Sequence, residues 1–183
     1  MGEETEYNEM QIIKRRFFAL RNGVISDALR KGGSPYRIIF GLNLPQIVEI
    51  SSETPHRADL AETLWANKTT RESLLLAPMI YPPEEFSYDK ALLWLRESPD
   101  VETVDILCHR LIRKLPFAKD LAKEVGESSD DLMRYSALRI MFNLVYNDAK
   151  SAKEIAERFL EDSSTRVSQL ARMLKEEAEF ILE

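Results

Sequence analysis

Apolar residues recur at helical spacing along nearly the whole chain, and no segment alternates apolar and polar positions over the length of a strand. This pattern predicts an all-α protein built from helices of about ten to twenty residues separated by tight turns. Residues 7–31 form either one long helix or two abutting helices. The stretch from Tyr36 to Gly41 is aromatic and β-branched but too short to begin a sheet.

Turn residues and small polar residues mark the predicted helix ends. The sequence GGSPY ends the first helical region, and Pro45 falls in the first turn of the next helix. Pro116 and Gly126 end two later helices. The predicted N-caps are Thr54 (with Pro55 as the first helical residue), Thr70, Ser87, Asp100, Ser128 or Ser129, Ser151, and Ser163 or Ser164.

Pairs of predicted helices recur about every 40 residues, the spacing of HEAT-type helical hairpins. We therefore predict one domain over residues 1–183, a right-handed array of HEAT-like helical hairpins (an α-solenoid) with a concave face. No fixed motif repeats with the helices, so the period alone also permits an irregular helical bundle.

Composition narrows the class of protein. The chain is 44% hydrophobic and 31% charged, as in ordinary globular domains, and its apolar runs are too short for a membrane span. The acidic start MGEETEYNEM is unlike a secretory signal. One cysteine cannot form an internal disulfide, and the two histidines are too far apart for a local metal motif. We expect a cytoplasmic monomer with no metal and no cofactor.

The net charge of −6 is unevenly distributed. Residues 11–40 carry seven cations against one acid, and residues 101–126 carry five cations against four acids. The C-terminal helices are acidic instead, with Glu176, Glu177, Glu179 and Glu183 near the end. Such a distribution is compatible with a local basic surface that binds nucleic acid. It is equally compatible with solvated helix faces.

Asp105 is the residue that the apolar pattern does not explain. It lies beside Val104 at the edge of the predicted buried stripe of a helix. A carboxylate is costly to desolvate unless it is paired with a cation or takes part in binding or catalysis. Cys108 and His109 are adjacent on the same helix, so their side chains point about 100° apart, a poor geometry for a nucleophile and its base. We therefore expect Cys108 to be a buried packing residue.

Four segments, taken in order, resemble the DNA alkylation repair family of AlkD-like HEAT-repeat glycosylases. They are YRIIFGLNLPQIVEI, ETLWANKTTRESLLLAPMI, DVETVDIL and SSDDLMRYSALRIM, and the similarity covers about residues 36–180. In this resemblance the family's aspartate falls on Asp105 and its arginine on Arg134.

The resemblance implies a cationic concave surface that holds duplex DNA carrying an alkylated purine. Asp105 would stabilise the positive charge that develops on the deoxyribose and position water, and Arg134 would hold the DNA backbone. Arg113 and Lys114 are further expected phosphate contacts. The family's sugar-contacting tryptophans correspond to Val101 and Arg172, and Arg172 is included among the expected DNA contacts.

Three functions follow from these residues. The preferred one is a metal-independent N-glycosylase that excises N3- or N7-alkylated purines from duplex DNA. The others are DNA binding without catalysis and a noncatalytic HEAT-repeat scaffold for a protein partner. A buried Asp105–Arg134 ion pair that only fixes packing would explain the same two residues without any chemistry.

Overall fold

A computed structural model describes residues 8–183, and this part of the chain is all-α, as predicted. Its only β pairing is one isolated parallel bridge between Ile38 and Thr70. Two short 3₁₀ turns occur at Pro83–Glu85 and Ile112–Lys114. The helices within residues 8–183 are α1 (Glu9–Ala19), α2 (Gly23–Lys31), α3 (Leu44–Glu53), α4 (Ala58–Ala66), α5 (Arg71–Ile80), α6 (Tyr88–Glu97), α7 (Val101–Arg110), α8 (Ala118–Gly126), α9 (Asp131–Leu144), α10 (Ala149–Glu157) and α11 (Thr165–Leu182).

The chain divides into two compact units, Met1–Glu85 and Phe86–Glu183. In the first unit α5 packs against α3 and α4, and α1 packs against α4. Helix α5 lies at the centre of this packing, and nine of its ten residues are buried. Trp65 of α4 is also buried, as its apolar helical position predicts. The single-domain organisation stays a prediction.

A buried carboxylate fixes the segment before α3. Glu72 is fully buried, and its side chain accepts hydrogen bonds from the backbone N–H groups of Phe40, Gly41 and Leu42 at 2.9–3.4 Å. Arg71 donates to the same carboxylate at 3.0 Å. Gly41 has a φ of 81°, and a Cβ there would lie 2.2 Å from the carbonyl oxygen of Asn22. This position therefore requires glycine.

The second unit is organised around α9. Helix α8 packs against α9, α10 packs against α11, and α9 also contacts α7, α10 and α11. Such successive packed helix pairs are the arrangement expected of HEAT-like hairpins. Trp94 of α6 is buried and makes an edge-to-face contact with Phe86 at a centroid distance of 5.0 Å. Both tryptophans of the sequence are therefore core residues.

Several predicted helix starts are confirmed. The first helical region is two helices, since Asn22 caps α2, while the predicted start at Tyr7 lies outside the described residues. Pro45 lies in the first turn of α3. The side chains of Ser87 and Asp100 accept hydrogen bonds from backbone N–H groups at N3 of α6 and α7.

Two predicted residues occupy the N-cap position but do not make the expected capping hydrogen bond. Thr70 precedes α5 and Ser164 precedes α11, but neither side chain accepts from a first-turn N–H group. The Ser164 hydroxyl donates instead to Asp131 at 2.8 Å, so it ties the start of α11 to the start of α9.

Other predicted ends are wrong. Thr54 ends α3 rather than beginning α4, because its hydroxyl donates to the Ile50 carbonyl at 2.6 Å. Asp130 and Asp148, not the neighbouring serines, cap α9 and α10, since their carboxylates accept from first-turn N–H groups. Helix α7 ends at Arg110, before Pro116, and the 3₁₀ turn Ile112–Lys114 lies between the two residues.

Candidate functional site

Asp105 is held by two side chains of α9. Its Oδ1 accepts hydrogen bonds from the Tyr135 hydroxyl at 2.9 Å and from Arg139 Nε at 2.6 Å. Its Oδ2 accepts from Arg139 Nη2 at 2.7 Å, so the guanidinium contacts both carboxylate oxygens. The side chains of Asp105 and Arg139 are 30% and 28% exposed, and Tyr135 is buried. The carboxylate is therefore oriented by three donors and still reaches solvent.

The same two helices carry a second polar contact one turn further along. His109 Nδ1 lies 2.8 Å from Asn143 Oδ1, and Asn143 Nδ2 donates to the Arg139 carbonyl at 2.8 Å. Asp105 and His109 are four residues apart on α7, and Tyr135, Arg139 and Asn143 are spaced by four on α9. This spacing places each set on one helix face, so the two sets form a polar row where α7 meets α9.

The charges of this row keep its groups in defined protonation states. The hydrogen bond to Asp105 raises the pKa of Arg139, so its guanidinium stays cationic. Burial, followed by the charge of Asp105, raises the pKa of the Tyr135 hydroxyl. Tyr135 therefore remains a neutral hydrogen-bond donor at physiological pH.

Arg134 does not contact Asp105, so the predicted Asp105–Arg134 ion pair is wrong. Arg134 instead binds Asp162 through Nε at 2.7 Å and Nη2 at 3.0 Å. Its Nη1 donates to the carbonyls of Ser128 and Ser129. Residues five apart on a helix point about 140° apart, which separates Arg134 from the arginine that does bind Asp105.

The remaining predicted DNA contacts lie at the surface. Arg113 and Lys114 lie on the 3₁₀ turn that follows α7 and have no ion-pair partner among residues 8–183. Arg172 lies on α11, where its Nη2 donates weakly to the Leu160 carbonyl at 3.4 Å. It borders a surface depression that also contains Lys175 and three glutamates, Glu161, Glu176 and Glu179. The acids outnumber the cations there, which is unfavourable for phosphate.

Val101 occupies the position one turn before Asp105. It is exposed, and residues four apart lie on the same helix face, so a small aliphatic side chain lies beside the carboxylate. Cys108 is fully buried, and burial raises the pKa of its thiol, which confirms a packing role.

Metal-binding clusters and membrane-spanning helices are both absent from the described residues. Among residues 8–183, no three His, Cys, Asp or Glu side chains cluster in a way that would hold a metal ion. Over the same part of the chain, no helix has the combination of length and apolar character that crossing a membrane demands.

Sequence reasoning missed Tyr135, Arg139 and Asn143 as partners of α7. The available signal was a polar residue at every fourth position of an otherwise apolar helix, facing a helix with Asp105 and His109 at the same spacing. When two packed helices each carry polar residues at the same spacing beside their buried faces, the two sets of side chains are expected to hydrogen-bond each other.

Comparisons with known proteins agree with this architecture. The family model described as "DNA alkylation repair enzyme" matches residues 13–178. No curated protein sequence matches the chain. A solved structure reported as "A new family of proteins related to the HEAT-like repeat DNA glycosylases with affinity for branched DNA structures" superposes with a TM-score of 0.78 at 15% identity. The match covers 92% of this chain and 74% of that one, and it confirms the HEAT-like fold.

Proposed function

The chain belongs to the DNA alkylation repair enzyme family, and on that premise we propose that it is an N-glycosylase that releases N3- or N7-alkylated purines from duplex DNA. The observation that carries the proposal is the partly exposed Asp105 carboxylate held by Tyr135 and Arg139. A preorganised charge that still reaches solvent is what a substrate with a developing opposite charge requires.

The proposed reaction needs no acid catalyst for the leaving group. An N3- or N7-alkylated purine is cationic and leaves without a strong acid, so the glycosidic bond breaks with oxocarbenium character on the sugar. The Asp105 carboxylate stabilises that charge and aligns the attacking water. This interaction is stronger in the transition state than in the ground state, and it therefore raises the rate.

Arg139 has a positioning role in this proposal. Its Nε and Nη2 fix both oxygens of Asp105, and its Nη1 has no hydrogen-bond partner among residues 8–183. That remaining N–H donor can bind a phosphate oxygen of the DNA strand that carries the alkylated base. Arg139 thus takes the backbone-holding role expected of Arg134, whose guanidinium is occupied by Asp162 and two carbonyls.

DNA would approach over the C-terminal end of α7. Arg110, Arg113 and Lys114 bring three cations into five positions there, beyond Asp105 in the chain. Cations at this end also interact favourably with the helix dipole. Arg113 and Lys114 stay proposed phosphate contacts.

A second candidate is binding of DNA structures without base excision. It is favoured by Val101, which removes the aromatic side chain expected beside the sugar, and by the structural neighbour whose reported affinity is for branched DNA. Loss of an aromatic ring against the sugar removes a large apolar contact area and so weakens the hold on a single nucleotide.

The two candidates are separated by one pair of assays. Purified protein in excess is incubated with a duplex carrying one N7-methylated guanine, and release of the base is compared with the spontaneous rate. Binding is measured in parallel to linear and four-way-branched DNA of the same length. Release above the spontaneous rate supports the glycosylase. No release, together with tighter binding to the branched substrate, rejects it in favour of the second candidate.

A further inference from the structure

The hydrogen bond between His109 and Asn143 has a direction that the neighbouring atoms determine. Asn143 Nδ2 donates to the Arg139 carbonyl at 2.8 Å, and a carbonyl oxygen can only accept. The amide oxygen of Asn143 therefore faces His109, where it lies 2.8 Å from Nδ1. This oxygen also only accepts, so Nδ1 of His109 carries a hydrogen. In the neutral imidazole Nε2 is then without hydrogen, and it can accept a hydrogen bond or a proton.

The second histidine of the chain has the opposite arrangement. His56 lies between α3 and α4, and its Nε2 is 3.1 Å from the carbonyl oxygen of Ser51. Because that oxygen can only accept, the hydrogen of neutral His56 is on Nε2. His56 therefore serves as an internal reference for measurements on His109.

His109 lies on the same face of α7 as Asp105. The two residues are one helical turn apart, and at this spacing Cβ atoms are about 5–6 Å apart. One water molecule can hydrogen-bond to both side chains across that distance. His109 is half-buried and the Asp105 side chain is 30% exposed, so both reach solvent.

The reaction proposed above needs a proton acceptor other than Asp105. The water that attacks the sugar must lose a proton. If Asp105 took that proton, it would lose the negative charge that stabilises the sugar cation. Its Oδ1 also already accepts hydrogen bonds from Tyr135 and Arg139. Nε2 of His109 is an acceptor that leaves the charge of Asp105 unchanged.

We propose, on the premise of the glycosylase function, that His109 is a second catalytic residue and that its Nε2 takes the proton of the attacking water. The bond between C1′ and the purine N9 breaks, and its electron pair stays on the purine, which leaves as a neutral alkylated base. The water oxygen bonds to C1′, and one proton of that water passes to Nε2 and forms an imidazolium. Asn143 is a positioning residue, because it binds Nδ1–H and so keeps Nε2 free of hydrogen.

Long-range ¹H–¹⁵N NMR spectra test the hydrogen positions without any DNA. At a pH at which both rings are neutral, we expect the hydrogen on Nδ1 of His109 and on Nε2 of His56. Asn143→Leu removes the acceptor, so it should abolish the Nδ1–H preference of His109 and leave His56 unchanged. His56→Gln assigns the signals. A parent protein with the hydrogen on Nε2 of His109 overturns the proposal.

Single-turnover release of N7-methylguanine tests the proton transfer. His109→Gln should lower the rate about a hundredfold, the lower end of what a positioned proton acceptor contributes. His109→Ala should be as slow, and added imidazole should restore part of its activity, because the free base can take the place of the missing ring. His56→Gln is the matched control and should release base at the parent rate.

The outcomes distinguish failure of this role from failure of the glycosylase function. Release at the parent rate by His109→Gln overturns the role of His109 and leaves the glycosylase function intact. So does slow release by His109→Ala that imidazole does not raise, since loss of packing alone would not respond to imidazole. A parent protein that releases no base above the spontaneous rate overturns both proposals.

Discussion

Arg139 determines how the charge of Asp105 is presented. The guanidinium fork binds both carboxylate oxygens at 2.6–2.7 Å, while both side chains remain close to 30% exposed. Partial exposure screens the pair, so its contribution to stability is about 1 kcal/mol. Its larger effect is geometric, because the fork and the Tyr135 hydroxyl leave the carboxylate one orientation.

Substitution of Arg139 by Lys tests this geometric role. Lysine keeps the positive charge but cannot contact both oxygens, so Asp105 becomes free to rotate. We expect base release to fall about tenfold, equivalent to about 1.4 kcal/mol of transition-state stabilisation. The unfolding free energy should fall by about 1 kcal/mol.

Arg134→Lys is the matched control for that substitution. It disrupts the same kind of fork on the same helix, against Asp162, and the pair is more buried, with 15% and 9% of the side chains exposed. It should destabilise the protein at least as much and leave base release unchanged after correction for folded fraction. Equal losses of release in both variants would contradict a specific role for Arg139.

At the scale of helices, local chemistry explains which ends could be predicted. Ser87 and Asp100 are isolated polar residues before apolar stripes, and both cap the helices that follow. Asp130 and Asp148 stand near serines, and the sequence does not say which oxygen reaches the N–H groups. The partners of Asp105 depend on how α7 packs against α9, and no local pattern within α7 contains that information.

The N-cap residue of α10, Asp148, should make the stability of the protein depend on pH in the acid range. Its carboxylate caps α10 and binds Lys119 at 2.5 Å, and that hydrogen bond, with the one from Ser151, lowers the pKa of Asp148 from 3.8 to about 2. A lowered folded-state pKa stabilises the protein above the unfolded-state value. That contribution is lost as the pH falls from about 4 through about 2.

Two substitutions separate the cap from the charge. Asp148→Asn retains a good N-cap, whereas Asp148→Ala removes it and should cost about 1 kcal/mol more at neutral pH. Both should lose stability less steeply than the parent between about pH 4 and about pH 2. Thermal melting across that range is the measurement. If Asp148→Asn loses stability with acid as steeply as the parent protein, the Asp148 carboxylate is not the source of the pH dependence.

For the whole molecule, the net charge of −6 does not describe the surface that we propose as the DNA contact. The basic residues that follow Asp105 are concentrated at one helix end and its 3₁₀ turn, whereas the last eight residues of the sequence carry four acids and no cation. Sequence alone reveals this uneven distribution, but which cations lack carboxylate partners depends on the fold. Arg113 and Lys114 have none among residues 8–183, whereas Arg134 and Arg139 each bind one.

Binding to linear duplex should therefore weaken steeply as the salt concentration rises. Arg113→Gln and Lys114→Gln should each lower the slope of log K against log salt concentration by about 1, because each removes one phosphate contact and its released counterion. Lys150→Gln, an exposed lysine of α10, is the control and should leave the slope unchanged. Unchanged slopes for all three variants would exclude the α7 end as the DNA contact.

The most direct measurement compares base release by the parent protein, Asp105→Asn and Asp162→Asn under single-turnover conditions. Asparagine at position 105 removes the charge that faces the developing sugar cation and nearly keeps the side chain's size. Release of an N7-alkylated purine should fall about a hundredfold. Asp162→Asn breaks the more buried arginine pair and should cost about 3 kcal/mol of stability without slowing release by the folded protein. Parent protein that releases no base above the spontaneous rate, or an Asp105→Asn variant as active as the parent, would contradict the glycosylase.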